Sequence, residues 1–234
     1  ISNVYLCAIP DLSGVNSVTV GSDTYTRNGD HPEGDGTFYL YLTGRNHAIT
    51  ANGVNYYAIW DSDSSTFKVY TQNTNASFSA TGEDSGTLSN VDTSMQYSVD
   101  NGANWIDITG DMMEITGVTA ANGVQVKRPG SGLIPASEVQ TINVTQPAQP
   151  TVSGVGCTTA KQDDGQIINV NNSMEYRQSG SSDWMVIEDT VVKGLDPGIY
   201  EVRIKANGTQ LASSAATITI AAHTCVAQGG WQSD

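Results

Sequence analysis

The chain has 234 residues, of which 15% are charged, with 24 Asp and Glu against 10 Lys and Arg and a formal net charge of −14. This acidic excess argues against nucleic acid and anionic membrane surfaces as partners, because binding to phosphate requires clustered cations. No run of 18 apolar residues is present, so we expect no membrane insertion of this segment.

Short runs of Val, Ile, Thr and Tyr alternate with Gly, Asn and Asp, and no segment shows convincing helical periodicity. This pattern predicts an all-β protein. Residues 1–78 are predicted to form a small β domain of unknown type. Its clearest strand is TFYLYL, residues 37–42, whose alternation places Tyr39 and Tyr41 on the face opposite the Phe and Leu side chains. An Asn-Gly pair at 52–53 predicts a hairpin turn.

The rest of the sequence contains an internal repeat. SMQYSVDNGANW (94–105) and SMEYRQSGSSDW (173–184) lie 79 positions apart, and the two copies end in segments that align at a spacing of 76. Agreement over the whole unit predicts two tandem immunoglobulin-like β-sandwiches, residues 79–148 and 149–222, each of about six or seven short strands. Residues 223–234 form a tail of different composition.

The first copy contains Ser98, Asp100, Gly102 and Trp105 in the spacing S-x-D-x-G-x-x-W. This motif resembles the Asp boxes of sialidases, where it implies a hairpin device rather than a catalytic one. The resemblance implies that Asp and Ser bind turn amides, that Gly adopts a positive φ and that the aromatic ring packs below. The second copy lacks the Asp and the Gly at the matching places, so we expect the box to close a hairpin in the first repeat only.

Trp105 and Trp184 occupy the same place in both copies. Because sandwiches commonly carry a core tryptophan, we expect both side chains to be structural and buried. Stacking on a ligand is the alternative.

Five aromatic residues of the N-terminal domain are candidates for ligand binding, because aromatic faces stack on the apolar faces of sugar rings. They are Tyr39, Tyr41, Tyr56, Tyr57 and Trp60. The alternative is that these side chains are covered or form ordinary cross-strand surface.

An acidic loop holds Asp30, Glu33 and Asp35, and carboxylate oxygens are ligands that Ca²⁺ prefers. This loop is the first place to look for a Ca²⁺ site, although no EF-hand spacing is met. Acidic pairs at 61/63 and 163/164 are further candidates, and solvated turns are the alternative for all of them. No other cofactor is expected.

No catalytic constellation stands out. His31, His47 and His223 lack metal-binding or catalytic spacing, and neither a G-x-S-x-G elbow nor a phosphate-binding loop is present. Glycosidases use two carboxylates that the fold brings together, and any two Asp or Glu residues of this chain could do so. The sequence does not single out one such pair. We therefore predict that the chain is not an enzyme.

Cys157 opens the second repeat and Cys225 follows its last predicted strand. Because the first and last strands of a sandwich often lie near each other, we predict a disulfide between these two residues, with free thiols as the alternative. Cys7 then remains unpaired and buried.

The repeats resemble the immunoglobulin- or fibronectin-III-like repeats of large surface proteins from Gram-positive, clostridia-type bacteria. The residues that carry the resemblance are MQYSVDNGANW and GLDPGIYEVRIKANGTQLASSAATITI, and the tail HTCVAQGGWQSD resembles a His/Cys/Trp-rich segment near the wall-anchoring end. The first repeat departs from the pattern at 119–122, where it lacks Asp-Pro-Gly. The resemblance covers roughly residues 80–234 and implies a secreted or cell-wall-attached protein. It says little about activity, because such repeats serve as spacers in proteins of many functions.

These observations predict a monomeric, non-catalytic fragment of an extracellular, cell-surface protein. Immunoglobulin-like spacer repeats would present an N-terminal binding or adhesion domain to a glycan or to a host or cell-wall ligand. The alternative is the carbohydrate-binding module region of a secreted polysaccharide-degrading enzyme. Because the sequence begins at Ile1 without Met, we expect a mature form or an excised fragment.

Overall fold

A computed structural model describes residues 3–27 and 36–224. All regular elements in these residues are β-strands, which confirms the all-β prediction. The strands form three successive units, each with its own buried core. None of the described segments is a helix long and apolar enough to cross a membrane.

The N-terminal unit consists of a two-stranded and a five-stranded antiparallel sheet. Its strands are β1 (Val4–Ile9), β2 (Ser17–Val20), β3 (Asp23–Thr26), β4 (Phe38–Thr43), β5 (Asn46–Ala51), β6 (Val54–Asp61) and β7 (Thr66–Thr71). β1 pairs with β4, and the larger sheet has the order β3-β2-β5-β6-β7. The predicted hairpin turn joins β5 to β6, where Asn52 and Gly53 have φ angles of 50° and 76°.

Arg27 ties together the chain segments at one end of this unit. Its Nε and Nη2 donate to the carbonyl oxygen of Val15 at 3.1 and 2.7 Å, and Nη2 also donates to Leu12 at 2.8 Å. Its Nη1 donates to the carbonyl oxygen of Thr37 at 3.0 Å. The guanidinium carbon lies 5.0 Å from the centre of the Phe38 ring, so the same side chain also covers the core.

The two repeats have the same strand order, which confirms the predicted tandem sandwiches. The first repeat contains β8 (Ser77–Ala80), β9 (Ser85–Ser89), β10 (Gln96–Ser98), β11 (Ile106–Asp107), β12 (Met112–Thr116), β13 (Val124–Lys127) and β14 (Gln140–Ile142). The second contains β15 (Ser153–Val155), β16 (Gly165–Ile168), β17 (Met174–Gln178), β18 (Met185–Val186), β19 (Val191–Leu195), β20 (Gly198–Ile204) and β21 (Ala216–Ile220).

In the first repeat, the sheet β12-β9-β8 faces the sheet β11-β10-β13-β14. In the second repeat, the sheet β15-β16-β19 faces β18-β17-β20-β21. Three strands packed on four is an immunoglobulin-like sandwich. Ala76 and Phe78 belong to the core of the first repeat, so the structural boundary lies a few residues before the predicted one at 78.

Each repeat carries a hairpin between its last two strands. We call residues 128–137 arm 1 and residues 204–213, which begin at the last residue of β20, arm 2. At the base of each arm a serine, Ser137 or Ser213, accepts a hydrogen bond at Oγ from the backbone N–H of the first arm residue, at 2.8 and 2.9 Å. The arms are therefore equivalent parts of the repeated fold.

Arm 2 is inserted into the first repeat. Leu211 and Ala212 are fully buried, and Leu211 belongs to the core cluster of the first repeat rather than the second. Four backbone hydrogen bonds join arm 2 to the first repeat: Ala212 N–H to Gly82 O (2.8 Å), Leu211 N–H to Thr145 O (2.8 Å), Ala80 N–H to Gly208 O (2.7 Å) and Thr145 N–H to Thr209 O (3.2 Å). The two repeats therefore share apolar core and backbone pairing.

Arm 1 contacts the N-terminal unit in a looser way. Leu133, near the tip of this arm, is 68% exposed. The contacts come mainly from side chains. Arg128 Nε donates to the carbonyl oxygen of Asn73 at 2.9 Å, and Gln72 Nε2 donates to the carbonyl oxygen of Pro135. The first junction of the chain is thus more polar and less densely packed than the second.

Candidate functional site

The five aromatic residues predicted to bind a ligand do not form one surface. Tyr56 and Trp60 pack against the core of the N-terminal unit. The Trp60 ring lies 4.2 Å from the Tyr5 ring and 5.3 Å from the Phe67 ring, measured between centroids. Alternation along β6 directs both side chains inward. They therefore pack in the core and do not form an exposed ligand-binding surface.

Tyr39 and Tyr41 lie on the outer face of the β1–β4 sheet. Tyr41 is 45% exposed and stands directly opposite Leu6, which is 40% exposed. Val4 continues the same apolar face. A shallow cavity of about 310 Å³ lies between β3 and β4, where Tyr25 joins the two tyrosines in the lining. We call this set of residues the outer aromatic face.

Tyr57 points away from that face and toward the first repeat. It stands opposite Tyr70 in the β6–β7 ladder, so both rings lie on the outer side of the five-stranded sheet. Tyr70 is 42% exposed and was absent from the sequence-based candidates. The alternation of TFKVYT (residues 66–71) places Tyr70 on the face opposite to the buried Phe67. The exposure of Tyr70 could therefore have been predicted from the sequence.

The Asp box forms a hydrogen-bonded turn between β10 and β11. The buried Ser98 Oγ donates to Asp100 Oδ1 at 2.7 Å and accepts from the Gly102 N–H at 2.9 Å. Asp100 accepts from the Asn104 N–H at 2.9 Å and from its side-chain amide at 2.6 Å. Gly102 has a φ of 82° and lies over the Trp105 ring. These contacts place the box in a turn-stabilising role.

The box is confined to the first repeat, but the hairpin is not. In the second repeat β17 and β18 pair in the same way, with Tyr176 opposite Met185 as Tyr97 is opposite Ile106. Gly180 supplies the positive φ, at 90°, one place before the position that aligns with Gly102. The turn therefore forms without the Asp, because glycine adopts this conformation without steric cost.

Asp100 gives the first repeat a specific acid sensitivity. Hydrogen bonds from the Asn104 side chain, the Asn104 N–H and Ser98 lower the pKa of Asp100 to about 2, from a usual value of 3.8. A depressed pKa in the folded state stabilises the protein above about pH 4, and this stabilisation is lost as the pH falls toward about 2.

We expect Asp100→Asn to flatten the fall of the melting temperature between these pH values. The same pH profile for variant and wild type would contradict this role.

Trp105 and Trp184 are not core residues, which overturns the expectation that they are buried. Both are partly buried on the outer face of a four-stranded sheet, in contact with cationic side chains. Lys127 Nζ lies 4.0 Å from the centre of the Trp105 ring. Arg203 and Arg177 lie 4.0 and 4.4 Å from the centre of the Trp184 ring. Trp184 therefore makes cation–π contacts with side chains of two adjacent strands, and Trp105 makes one such contact.

The cations around Trp184 are already paired. Arg177 Nε lies 2.6 Å from Glu201 Oε2, and Arg203 Nε lies 2.7 Å from Glu175 Oε1. Both pairs are cross-strand neighbours in the β17–β20 ladder. Since each guanidinium has a carboxylate partner, this face supports a structural role rather than anion binding.

Trp184→Leu tests that role. We expect it to lower the free energy of unfolding by about 1–2 kcal/mol, because two cation–π contacts are lost together with part of the apolar cover of this sheet face. Urea denaturation measures the loss. Trp105→Leu, which removes only one such contact, is the matched control and should have the smaller effect. A larger effect at Trp105 would contradict the assignment.

The acidic loop proposed for Ca²⁺, with Asp30, Glu33 and Asp35, lies outside the described residues. Within residues 3–27 and 36–224, no group of three or more His, Cys, Asp or Glu side chains could hold a metal ion. The Ca²⁺ site in the acidic loop stays a prediction.

The other candidate acidic pairs, 61/63 and 163/164, contribute carboxylates that accept hydrogen bonds within turns and loops. Asp61 accepts hydrogen bonds from Ser64 and from the Asp63 N–H, and it forms a 2.8 Å ion pair with Lys68. Hydrogen bonding to Lys68 is the main reason that the pKa of Asp61 falls to about 2. Asp164 likewise accepts from the backbone N–H of Thr158 at 3.0 Å, and this contact closes a loop.

Cys157 is buried, and its Sγ donates to the carbonyl oxygen of Leu195 at 3.5 Å. Its predicted disulfide partner, Cys225, lies outside the described residues, so the disulfide stays a prediction. Cys7 is free and fully buried, and burial raises the pKa of its thiol to about 12. Such a thiol is not poised for reaction at neutral pH.

The chain matches no family model and no curated protein. Two solved structures to which it is similar are multidomain segments. One is the FN1–FN3 segment of chicken CNTN1, with 14% identity, 62% of this chain covered and a TM-score of 0.21. The chain covers 64% of that segment, which is less than two thirds. The other is the I9–I11 tandem of titin, with 9% identity, 94% of this chain and 93% of that chain covered, and a TM-score of 0.26. The assignment of tandem sandwiches rests on the strand order of the two repeats.

Proposed function

We propose that the chain is a non-catalytic part of an extracellular surface protein, in which the two repeats form a stiff spacer that presents the N-terminal unit. The observation that carries this proposal is the insertion of arm 2 into the first repeat, with Leu211 and Ala212 fully buried. The extracellular location rests on the resemblance of the repeats to bacterial surface proteins.

The physical argument concerns bending at the junction between the repeats. Domains joined by a single linker move relative to each other unless their interface is large and apolar. Here residues 145–151 form the covalent linker, and arm 2 adds a second connection with four backbone hydrogen bonds. Bending would have to break these bonds and expose Leu211 to water. The second junction therefore favours one orientation of the repeats.

Small-angle X-ray scattering of the whole chain tests the spacer. We expect the wild-type data to fit a single orientation of the two repeats, and Leu211→Ala to require a wider ensemble of orientations. Wild-type scattering that requires as wide an ensemble of orientations as that of Leu211→Ala would overturn the proposal.

A second candidate function is carbohydrate binding by the N-terminal unit. Its support is the outer aromatic face, where Tyr41 is exposed beside Leu6 on the β1–β4 pair. Exposed tyrosine rings next to apolar side chains suit the C–H faces of sugars. A glycan array probed with the whole chain and with Tyr41→Ala separates this function from a pure spacer. No signal for the wild type across the array would remove the hypothesis.

A further inference from the structure

The junction between the N-terminal unit and the first repeat contains a cavity on each side of a narrow bridge. The bridge is the contact of the Gln72 side chain with the carbonyl oxygen of Pro135. The smaller cavity, about 250 Å³, has Tyr57 in its lining, and the larger one, about 470 Å³, has Tyr70. Because the two tyrosines are cross-strand neighbours, one aromatic surface forms part of both linings. We call the larger cavity the junction cleft.

The junction cleft combines an aromatic ring with hydrogen-bonding groups from both units. The N-terminal unit contributes Tyr70 of β7 and Gln72, which follows that strand, and arm 1 contributes the hydroxyl group of Ser131. The Ser94 hydroxyl also lies in the lining, where it donates to Asp92 and accepts from Arg128. Pro129 and Ile134 of arm 1 add apolar wall. Small-molecule sites favour such clefts at domain junctions, with apolar and aromatic walls and a few polar groups that set orientation.

The charge in the cleft is balanced. Arg128 is the cation in its lining, and four of the five N–H groups of its guanidinium donate hydrogen bonds within the protein. Nη2 lies 2.8 Å from Asp92 Oδ2, Nη1 lies 3.1 Å from Asp92 Oδ1, and the same side chain also binds Ser94 and the carbonyl oxygen of Asn73. An anionic ligand would have to compete with Asp92 for this guanidinium and approach a chain of net charge −14. The electrostatics therefore favour a neutral ligand.

We propose that the junction cleft binds a neutral, hydroxyl-rich saccharide, with the Tyr70 ring as its stacking platform. Aromatic rings accept the apolar C–H face of a sugar, while hydroxyl and amide groups bind its rim. Since the walls belong to two units, a bound sugar would hold the N-terminal unit at one angle to the first repeat. This site is separate from the outer aromatic face and independent of the spacer function.

The test is titration of the whole chain, by calorimetry and by NMR, with maltotriose, cellotriose and chitotriose, and with trigalacturonate as the anionic comparison. We expect at least one neutral trisaccharide to bind more tightly than trigalacturonate. Tyr70→Ala should raise the Kd about tenfold or more, whereas Tyr70→Phe, which keeps the ring, should stay within about twofold of the wild type. Tyr41→Ala is the matched control on the outer aromatic face and should leave the Kd unchanged.

A second variant tests the cleft independently, in case Tyr70→Ala impairs folding. Ser131→Trp places a bulky ring at an exposed position of arm 1 and should block the cleft while the sheet stays intact. The proposal is overturned if no neutral probe binds at up to about 10 mM. It is also overturned if trigalacturonate binds best, or if Tyr41→Ala abolishes binding while Tyr70→Ala and Ser131→Trp do not. That last pattern would place the sugar on the outer aromatic face.

Discussion

Leu211→Ala is expected to destabilise the first repeat by about 2–5 kcal/mol, although Leu211 belongs to the second. The side chain is fully buried in a cluster with Leu88 and Val144, so its removal leaves a cavity in the core of the neighbouring repeat. Amide hydrogen exchange locates the effect: protection should fall in the first repeat at the strands around Leu88. Urea denaturation measures its size.

The matching arm of the first repeat provides the control. Leu133 lies near the tip of arm 1 and is 68% exposed, so Leu133→Ala should change the free energy of unfolding by no more than about 0.5 kcal/mol. Equal losses for the two leucines would show that arm 2 is not an anchor. A loss of exchange protection confined to the second repeat would contradict the shared core.

Such coupling makes the two repeats one mechanical unit. In repeat proteins, stability is approximately a sum of terms for each repeat and for each interface between neighbours. Here the interface term includes a core residue and four backbone hydrogen bonds, whereas the junction with the N-terminal unit depends largely on side-chain contacts. We therefore expect bending of the chain to concentrate at the first junction, next to the junction cleft.

The architecture of the repeats could be predicted because its signals are local. Alternation of apolar side chains and the turn residues recur in both copies, and matching positions such as Tyr97 and Tyr176 hold matching places in the sheets. Period-two alternation also shows that consecutive residues such as Tyr56 and Tyr57 must face opposite sides of a strand. Treating these two tyrosines as one binding surface conflicted with that rule.

Contacts between units could not be predicted from the sequence. Pro135 occupies the place of Leu211 in the alignment of the two copies, so comparing them gives no sign that this leucine enters the neighbouring core. The position of Trp184 depends on Arg177 and Arg203, which come together only when β17 pairs with β20. A buried and a surface-stacked tryptophan look alike in sequence, because both lie beside alternating strands.

The second large effect is expected at Arg27. Arg27→Met should lower the free energy of unfolding of the N-terminal unit by about 3–4 kcal/mol, because hydrogen bonds from a charged group to carbonyl oxygens are lost together. Val15, Leu12 and Thr37 all contribute carbonyl acceptors to this one guanidinium. Trp60 is the sole tryptophan of the first 78 residues, so its fluorescence in a urea titration reports this unit in a Trp-to-Phe background at positions 105, 184 and 231.

Two further variants separate the geometry of Arg27 from its charge. Arg27→Lys keeps the charge, but a single ammonium group lacks the planar fork that reaches three carbonyl groups, so it should lose most of the same stability. Arg45→Met removes a charge from an exposed position of the same unit and should change the free energy of unfolding by no more than about 0.5 kcal/mol. If Arg27→Lys were as stable as the wild type, charge alone would account for the effect. The carbonyl contacts would then not be what holds the segments around β3 and β4 together.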